Sequence, residues 1–568
     1  MILANRPLRP RAKGLLQNSF QSRQELPIVG GFGLSPEQKS QAQQAWLPYS
    51  AIFEPGLRVD AFANALYDDE INDFESWREI LNRDQLQHVQ GAFAMAEIKQ
   101  EQLLLIRDSV GERTLFYAPI GNACLFASTL DLVLKPNLIA RQLNLEALMR
   151  YLSYAYVPGR ETLLQGIYEL EPGERVVFQN GKIQHENWWH LPDVLDIAQV
   201  SEHELQAQLR CLLEQAVSRR LPASETICAS LSGGLDSSLV VGLLRQLHSG
   251  QIKTFSVSFG KKYRNELPFS QFVADQCQTD HQVLEVHPKT MMYFLDETIA
   301  LMGNPVGDPL TVPNTLIFRE ASQYSSVLFN GEGGDPNFGG PKNIPMILSQ
   351  IYGNSLYFEN PEQPFLREKN YLYSYRKLYE DLPQFIEASH WQSLPDFALE
   401  RQLSDWLGPQ AGDGFVQKLM AINTRFKGAH HILFKVNALS QAFGVYPASP
   451  LFDSHVTNLA LQIPAQLKLK GTVEKYILKQ AVADLVPERI LLRPKSGMQV
   501  PIELWLKPGG PLHRQGKKRL KALEDYPWFN AAYLRQLSRW ELPGFLPRHG
   551  AKAWILLTLE AWLRHYLP

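Results

Sequence analysis

At 568 residues the chain is about twice as long as one hydrophobic core supports, so at least two domains are expected. Lys and Arg number 56 against 58 Asp and Glu, a net charge of −2 that argues against a nucleic-acid partner. Apolar residues at 45% and charged residues at 20% exclude dominant disorder, and no uncharged apolar run of ~18 residues is present to span a membrane.

Cys124, Cys211, Cys228 and Cys277 form no CxxC pair, so neither a zinc site nor a disulfide framework is suggested. No secretory apolar segment follows Met1, which makes the cytoplasm the expected compartment. From Gly91 onward short apolar runs alternate with polar pairs and glycines, a strand pattern, and Asn180-Gly181 between two such runs predicts a hairpin. A β-rich domain is therefore predicted over residues 1–195.

From Glu202 the pattern turns helical, with Leu205, Leu209, Leu212, Leu213 and Val217 on one face, and a second domain is predicted over 196–568. In it the run "TICASL" precedes a helix bearing Leu239, Val240, Leu243, Leu244 and Leu247. "KTFSVSF", a helix from Asn265, "HQVLEV" and later "SVLFN" follow. Strands alternating with helices predict a parallel sheet with right-handed crossovers, hence an α/β protein. From about Ile347 helices are expected to decorate that core, and the basic run Arg514–Lys521 reads as a solvated helix face.

Two strands end in glycine-rich turns, Ser232–Ser238 and Gly331–Gly340. Ligands of open parallel sheets lie beyond the carboxyl ends of the strands, so both turns are predicted to face one site. Successive N–H groups in a glycine turn, with the positive end of the next helix, cradle a phosphate. The Lys and Ser/Thr of Walker-type turns are missing. Instead Asp236 stands at the helix start and Asp335 in the second turn, an arrangement suited to Mg2+ on phosphate oxygens. Pyrophosphate leaving beneath two acidic turns implies attack at the α-phosphorus.

The turn Ser232-Gly233-Gly234-Leu235-Asp236-Ser237 resembles the pyrophosphate loop of the N-type ATP pyrophosphatases. Together with "TFSVSFG" at Thr254, "NGEGGDPNFGG" at Asn330, "RPKSGMQVP" at Arg493, "RDSVGERTLFYAP" at Arg107 and "PLFDSHVTNLALQIP" at Pro450, it resembles the asparagine synthetase family. The resemblance implies a degenerate N-terminal-nucleophile glutaminase-like domain followed by a synthetase domain of the adenine nucleotide alpha hydrolase type. It further implies that ATP and Mg2+ activate a small-molecule or peptide carboxylate as its adenylate, and that an amine displaces AMP to form an amide. Carried over by position, Ser232, Gly233, Gly234, Leu235, Asp236, Ser237 and Ser238 would hold pyrophosphate and metal, with Asp335 as second metal ligand. Leu231, Val257 and Gly331 would line the adenosine, Glu332 would take the proton of the attacking nitrogen, and Lys495 would face charge on the α-phosphate.

The sequence departs from the family at three places. Ile2 stands where glutamine-dependent members carry their nucleophilic cysteine, so a silent N-terminal scaffold is expected, as in β-lactam synthetases and lasso-peptide cyclases. Asp335-Pro336 replaces an Asp-Glu pair, and Ala448 replaces an arginine, both of which argue for a substrate other than free aspartate. An ammonia-using asparagine synthetase is the alternative. Glu332 has a structural alternative as acceptor for its own turn, and Lys495 one as a solvated loop lysine. His281, His430 and His431 lack metal-ligand spacing and are assigned no role. The assembly state is open, a homodimer included.

Overall fold

The computed structural model describes residues 28–567 except 46–50, 53–55, 62–65, 68, 71–73, 83, 90, 223–225, 341–364, 376, 395–397, 408–414, 494–497 and 545–547. Lys495 and the stretch around Ile347 thus lie outside the described residues.

Two antiparallel sheets form the N-terminal part. One runs Val29–Phe32, Ala123–Ala127, Phe116–Ile120, Tyr168–Glu169; the other runs Lys182–Asn187, Glu174–Gln179, Gln102–Arg107, Phe93–Lys99, Gly56–Ala61. Strand side chains alternate between faces, and every second residue of one sheet (Ala94, Ala96, Ile98; Leu103, Leu105; Val176, Phe178) packs with Tyr117, Cys124 and Phe126 of the other. The hairpin forms where Asn180-Gly181 places it: Gln179 pairs with Lys182, and the two turn residues adopt φ +51° and +71°. Both angles are positive, the backbone that matches strand twist and that Asn-Gly accommodates.

The second part is built on five parallel strands in the order Asp280–Glu285, Gln251–Ser258, Thr226–Ser230, Val327–Phe329, Tyr446–Ala448. Thr226–Ser230 and Val327–Phe329 are neighbours, with Ala229 opposite Phe329, so their carboxyl ends open side by side. Helix Leu235–Leu247 lies on the sheet through Leu239, Val240, Leu243 and Leu244, each a contribution of about 1.5–3 kcal/mol when fully buried. Leu247, its last residue, is exposed where the face runs past the sheet. Helix Leu267–Gln276 follows the second strand.

The C-terminal region is helical. Helix His549–Tyr566 is enclosed, burying Trp554, Leu557 and Trp562. The basic run lies on helix His513–Ala522, yet it is only partly solvated: Gly516 and Leu520 are buried, and Arg519 reaches Asp296 at 2.8 Å and also pairs with Glu560. Among the described residues no helix is long and apolar enough to cross a membrane.

Charged groups join the two parts. The Arg220 guanidinium donates to both oxygens of Glu112 at 3.0 and 3.1 Å and to Asp453 at 2.7 Å, and Arg219 reaches the same Asp453 oxygen at 2.9 Å. Glu112 belongs to the N-terminal part, while Asp453 caps helix Ser454–Gln462 through the His455 N–H. The Gly91 N–H donates to Ser454 Oγ at 2.9 Å, a second tie between the same regions.

Candidate active site

Strand Thr226–Ser230 leads into Leu231, whose N–H donates to the Phe255 carbonyl at 2.8 Å. The chain then turns at Gly233, φ +75°, where a Cβ would stand 2.4 Å from the Ser270 nitrogen; only glycine fits. Ser232 and Ser237 hold the turn closed with their hydroxyls 3.0 Å apart, the Ser232 N–H donating to Ser237 Oγ at 3.2 Å and the Gly234 N–H to Ser232 Oγ at 3.2 Å. Gly234 caps the helix that Leu235 and Asp236 begin. Among the described residues, the buried Ser238 hydroxyl finds no hydrogen-bond partner. A buried unpaired hydroxyl is costly, and an anion seated at the helix start would relieve it.

The second turn presses against the first. A Cβ on Gly331 would come within 2.5 Å of the Ser237 nitrogen, and one on Gly334 within 2.2 Å of Asp236 Oδ1. The Glu332 N–H is taken by Asn330 Oδ1 at 3.0 Å, and Asn330 Nδ2 donates to Ser449 Oγ at 2.9 Å. Asn330 therefore organises the turn, and among the described residues the half-buried Glu332 side chain has no partner. Gly334–Phe338 forms a short helix with Asp335 and Pro336 in its first turn, where proline costs no hydrogen bond. Asn337 anchors the far end of that helix to Leu451 O at 2.7 Å and Thr457 at 3.1 Å.

Sequence reasoning missed the group between the two acids. Lys475, at φ +52° before helix Tyr476–Ala481, donates to the two Asp236 oxygens at 2.8 and 2.6 Å and to Asp335 Oδ1 at 2.6 Å. Its side chain is 2% exposed against 19% for Asp236 and 32% for Asp335. Although burial opposes a charged amine, the two carboxylates hold its pKa well above the usual lysine range. Both acids thus converge on one cation position, which fits a divalent metal completed by phosphate oxygens. Among the described residues no trio of His, Cys, Asp or Glu gathers into a protein-only metal cage.

Val257, at the end of its strand, shares a cleft with Phe259, Glu266, Met498 and Gln499, and Leu231 is buried beside the first turn. Arg493 is a second missed contact: its guanidinium donates to the Gly233 carbonyl at 2.8 Å, pairs with Glu266 and lies 3.9 Å over the Phe269 ring. Arg493 is therefore fastened to the first glycine turn. His281 bridges Thr254 at 2.8 Å and Ser256 at 3.1 Å, His430 meets Glu169 at 3.2 Å, and His431 lies 3.4 Å from Asp308. Ala448 is buried and lends only its carbonyl, which accepts the Asn330 N–H at 2.9 Å. In the other part of the molecule, burial of Cys124 pushes its thiol up to about 12, which leaves it without nucleophilic thiolate.

A family model for asparagine synthase matches residues 208–564, and one for a glutamine amidotransferase domain matches residues 75–189. The chain is 25% identical to asparagine synthetase (glutamine-hydrolyzing) 1 of Bacillus subtilis, covering 71% of this chain and 66% of that protein. It is 28% identical to a putative asparagine synthetase (glutamine-hydrolyzing) of Mycobacterium bovis, covering 84% and 77%. It is also 23% identical to the amidase chry2 of Gibberella zeae, covering 76% and 72%. The chain spans just under two thirds of the Bacillus protein's length. With its parallel-sheet part matched from end to end and its antiparallel part matched to the amidotransferase fold, the chain belongs to the asparagine synthase family.

Proposed function

We propose that this family member is an ATP- and Mg2+-dependent amide-forming ligase that activates a substrate carboxylate as its adenylate. The carboxylate oxygen attacks the α-phosphorus, the bond to the bridging oxygen breaks, and pyrophosphate departs into the Ser232–Ser238 turn. An amine nitrogen then attacks the acyl carbon, AMP leaves with the bonding electron pair, and the nitrogen's proton passes to a base. Glu332 is that base, because an ammonium is no nucleophile and, among the described residues, this carboxylate has no competing partner. Ser238 and the glycine turn Ser232–Gly234 bind pyrophosphate, and Lys495 offsets charge on the α-phosphate. Asp236 and Asp335 would hold Mg2+, which neutralises charge on the phosphates.

The observation that carries this reading is the convergence of Asp236 and Asp335 on one cation position beneath a glycine turn with an unsatisfied buried hydroxyl. The nitrogen is an amine of a second substrate or of the same molecule, with free ammonia as the alternative, rather than ammonia released from glutamine, since Cys124, the sole cysteine of the first 195 residues, is buried. The uncharged Ala448 and Pro336 favour a carboxylate other than free aspartate. Incubation with ATP, a panel of carboxylates, and ammonium or amines, read by 31P NMR and mass spectrometry, tests it. AMP and pyrophosphate with an amide product are expected, and Asp236→Asn should lower their formation by about 10³-fold. Formation of ADP would overturn the assignment.

A further inference from the structure

We infer that Lys475 is a resident counter-cation that keeps divalent metal off Asp236 and Asp335 until a nucleotide arrives, so that metal and ATP enter together. The inference rests on the metal reading of those two acids and adds an order of binding to it.

The Lys475 nitrogen stands 2.8 and 2.6 Å from the Asp236 oxygens and 2.6 Å from Asp335 Oδ1. A Mg2+ ion sits about 2.0–2.1 Å from its oxygen ligands, so an ion using this same oxygen set would overlap the ammonium. Occupancy is therefore exclusive. Two carboxylates aimed at one point repel when the point is empty, and the lysine removes that repulsion at no entropic cost to a free ion. The two sides of the cluster differ in access: the lysine comes from the protein side at 2% exposure, while the acids, at 19% and 32%, reach the open side of the turns. With one ammonium against two carboxylates the cluster keeps a net charge of only −1, a weak attractor for a hydrated dication. Among the described residues, Glu474 and Lys479 lie beside it and offset one another. A triphosphate carries about four negative charges at neutral pH, enough to draw the ammonium off the carboxylates and to supply the metal's remaining ligands. The acids then become available only when the phosphates are present.

Mn2+ serves as the probe, with free ion read by electron paramagnetic resonance and α,β-methylene-ATP as an uncleavable nucleotide. Without nucleotide, Lys475→Gln is expected to hold one Mn2+ at least about 10-fold more tightly than the natural protein, and Lys475→Arg to behave as the natural protein does. Circular dichroism verifies that each variant is folded, and Lys475→Met provides a second neutral side chain. Equal Mn2+ affinity of the natural, Gln and Met proteins without nucleotide would overturn the inference. The underlying metal reading has its own arm: with α,β-methylene-ATP present, Asp236→Asn should lose the Mn2+ that the natural protein holds, and equal retention would remove the metal assignment itself.

Discussion

Two cation-centred triads of the same charge pattern, each a base between two carboxylates, stand in this molecule under different conditions. In the first, Arg220 lies between Glu112 and Asp453, and all three side chains are at most 5% exposed. In the second, Lys475 lies between Asp236 and Asp335, whose carboxylates reach solvent. The guanidinium is a fixed fork that engages both acids at once, whereas the ammonium is a point charge on a flexible stem. The first triad joins the antiparallel part to the parallel-sheet part and is closed to solvent. The second sits at a turn that a ligand can enter. Burial and donor geometry, not the charges themselves, separate a fastener from a site.

The sharpest way to break that contrast is to remove the central base from each triad. Arg220→Met should lower unfolding stability by about 3–5 kcal/mol in urea titrations, because buried Glu112 loses both hydrogen bonds from Arg220 and buried Asp453, of its two cations, keeps only Arg219. Lys475→Met should change it by less than about 1 kcal/mol, since its acids can be hydrated. Equal losses would mean that the two triads do the same work.

Next in size is an effect on turnover alone. Lys495→Ala should lower turnover of the amide-forming reaction by about 10²-fold with an unchanged melting temperature. An unaffected rate would return Lys495 to the role of a loop lysine.

The smallest expected effect is a pH slope. Burial, with Asp108 and Asp453 nearby, pushes Glu112 up to about 7 in spite of Arg220, while Arg220 and Arg219 hold Asp453 down to about 2. The folded protein therefore binds a proton at Glu112 more readily than the unfolded chain does. That contribution to stability is full below the ordinary value of 4.5 and is lost as pH rises through about 7. Asp453 acts oppositely: its contribution is present above 3.8 and is lost as pH falls toward 2. Glu112→Gln should flatten the upper slope in thermal melts and leave the lower one in place; an unchanged upper slope would refute the role of Glu112.

Local chemistry made much of this architecture readable. Asn180-Gly181 dictates its own backbone, and Gly233, Gly331 and Gly334 announce close approaches that the structure fills with Ser270, Ser237 and Asp236. Helical faces such as Leu239–Leu244 follow from spacing alone. What stayed hidden depends on distance along the chain. Lys475 lies 239 positions from Asp236, in a stretch with no glycine signature of its own, and its left-handed backbone is not written in a lysine codeword. Arg519 looked like part of a solvated run because Asp296 and Glu560 come to it from other helices. Asn330 opens a glycine motif in the sequence, but its part in holding that turn shows only in its bonds with the Glu332 N–H and Ser449.

The adjacency of Thr226–Ser230 and Val327–Phe329 in the sheet has a consequence for divergence. Both glycine-rich turns hang from one pair of hydrogen-bonded strands. Helices Leu235–Leu247 and Gly334–Phe338 begin in the turns themselves, whereas the helices from Leu366 onward belong to later stretches of chain, so under the proposed function those later stretches can be reshaped to admit a new acceptor without moving the turns.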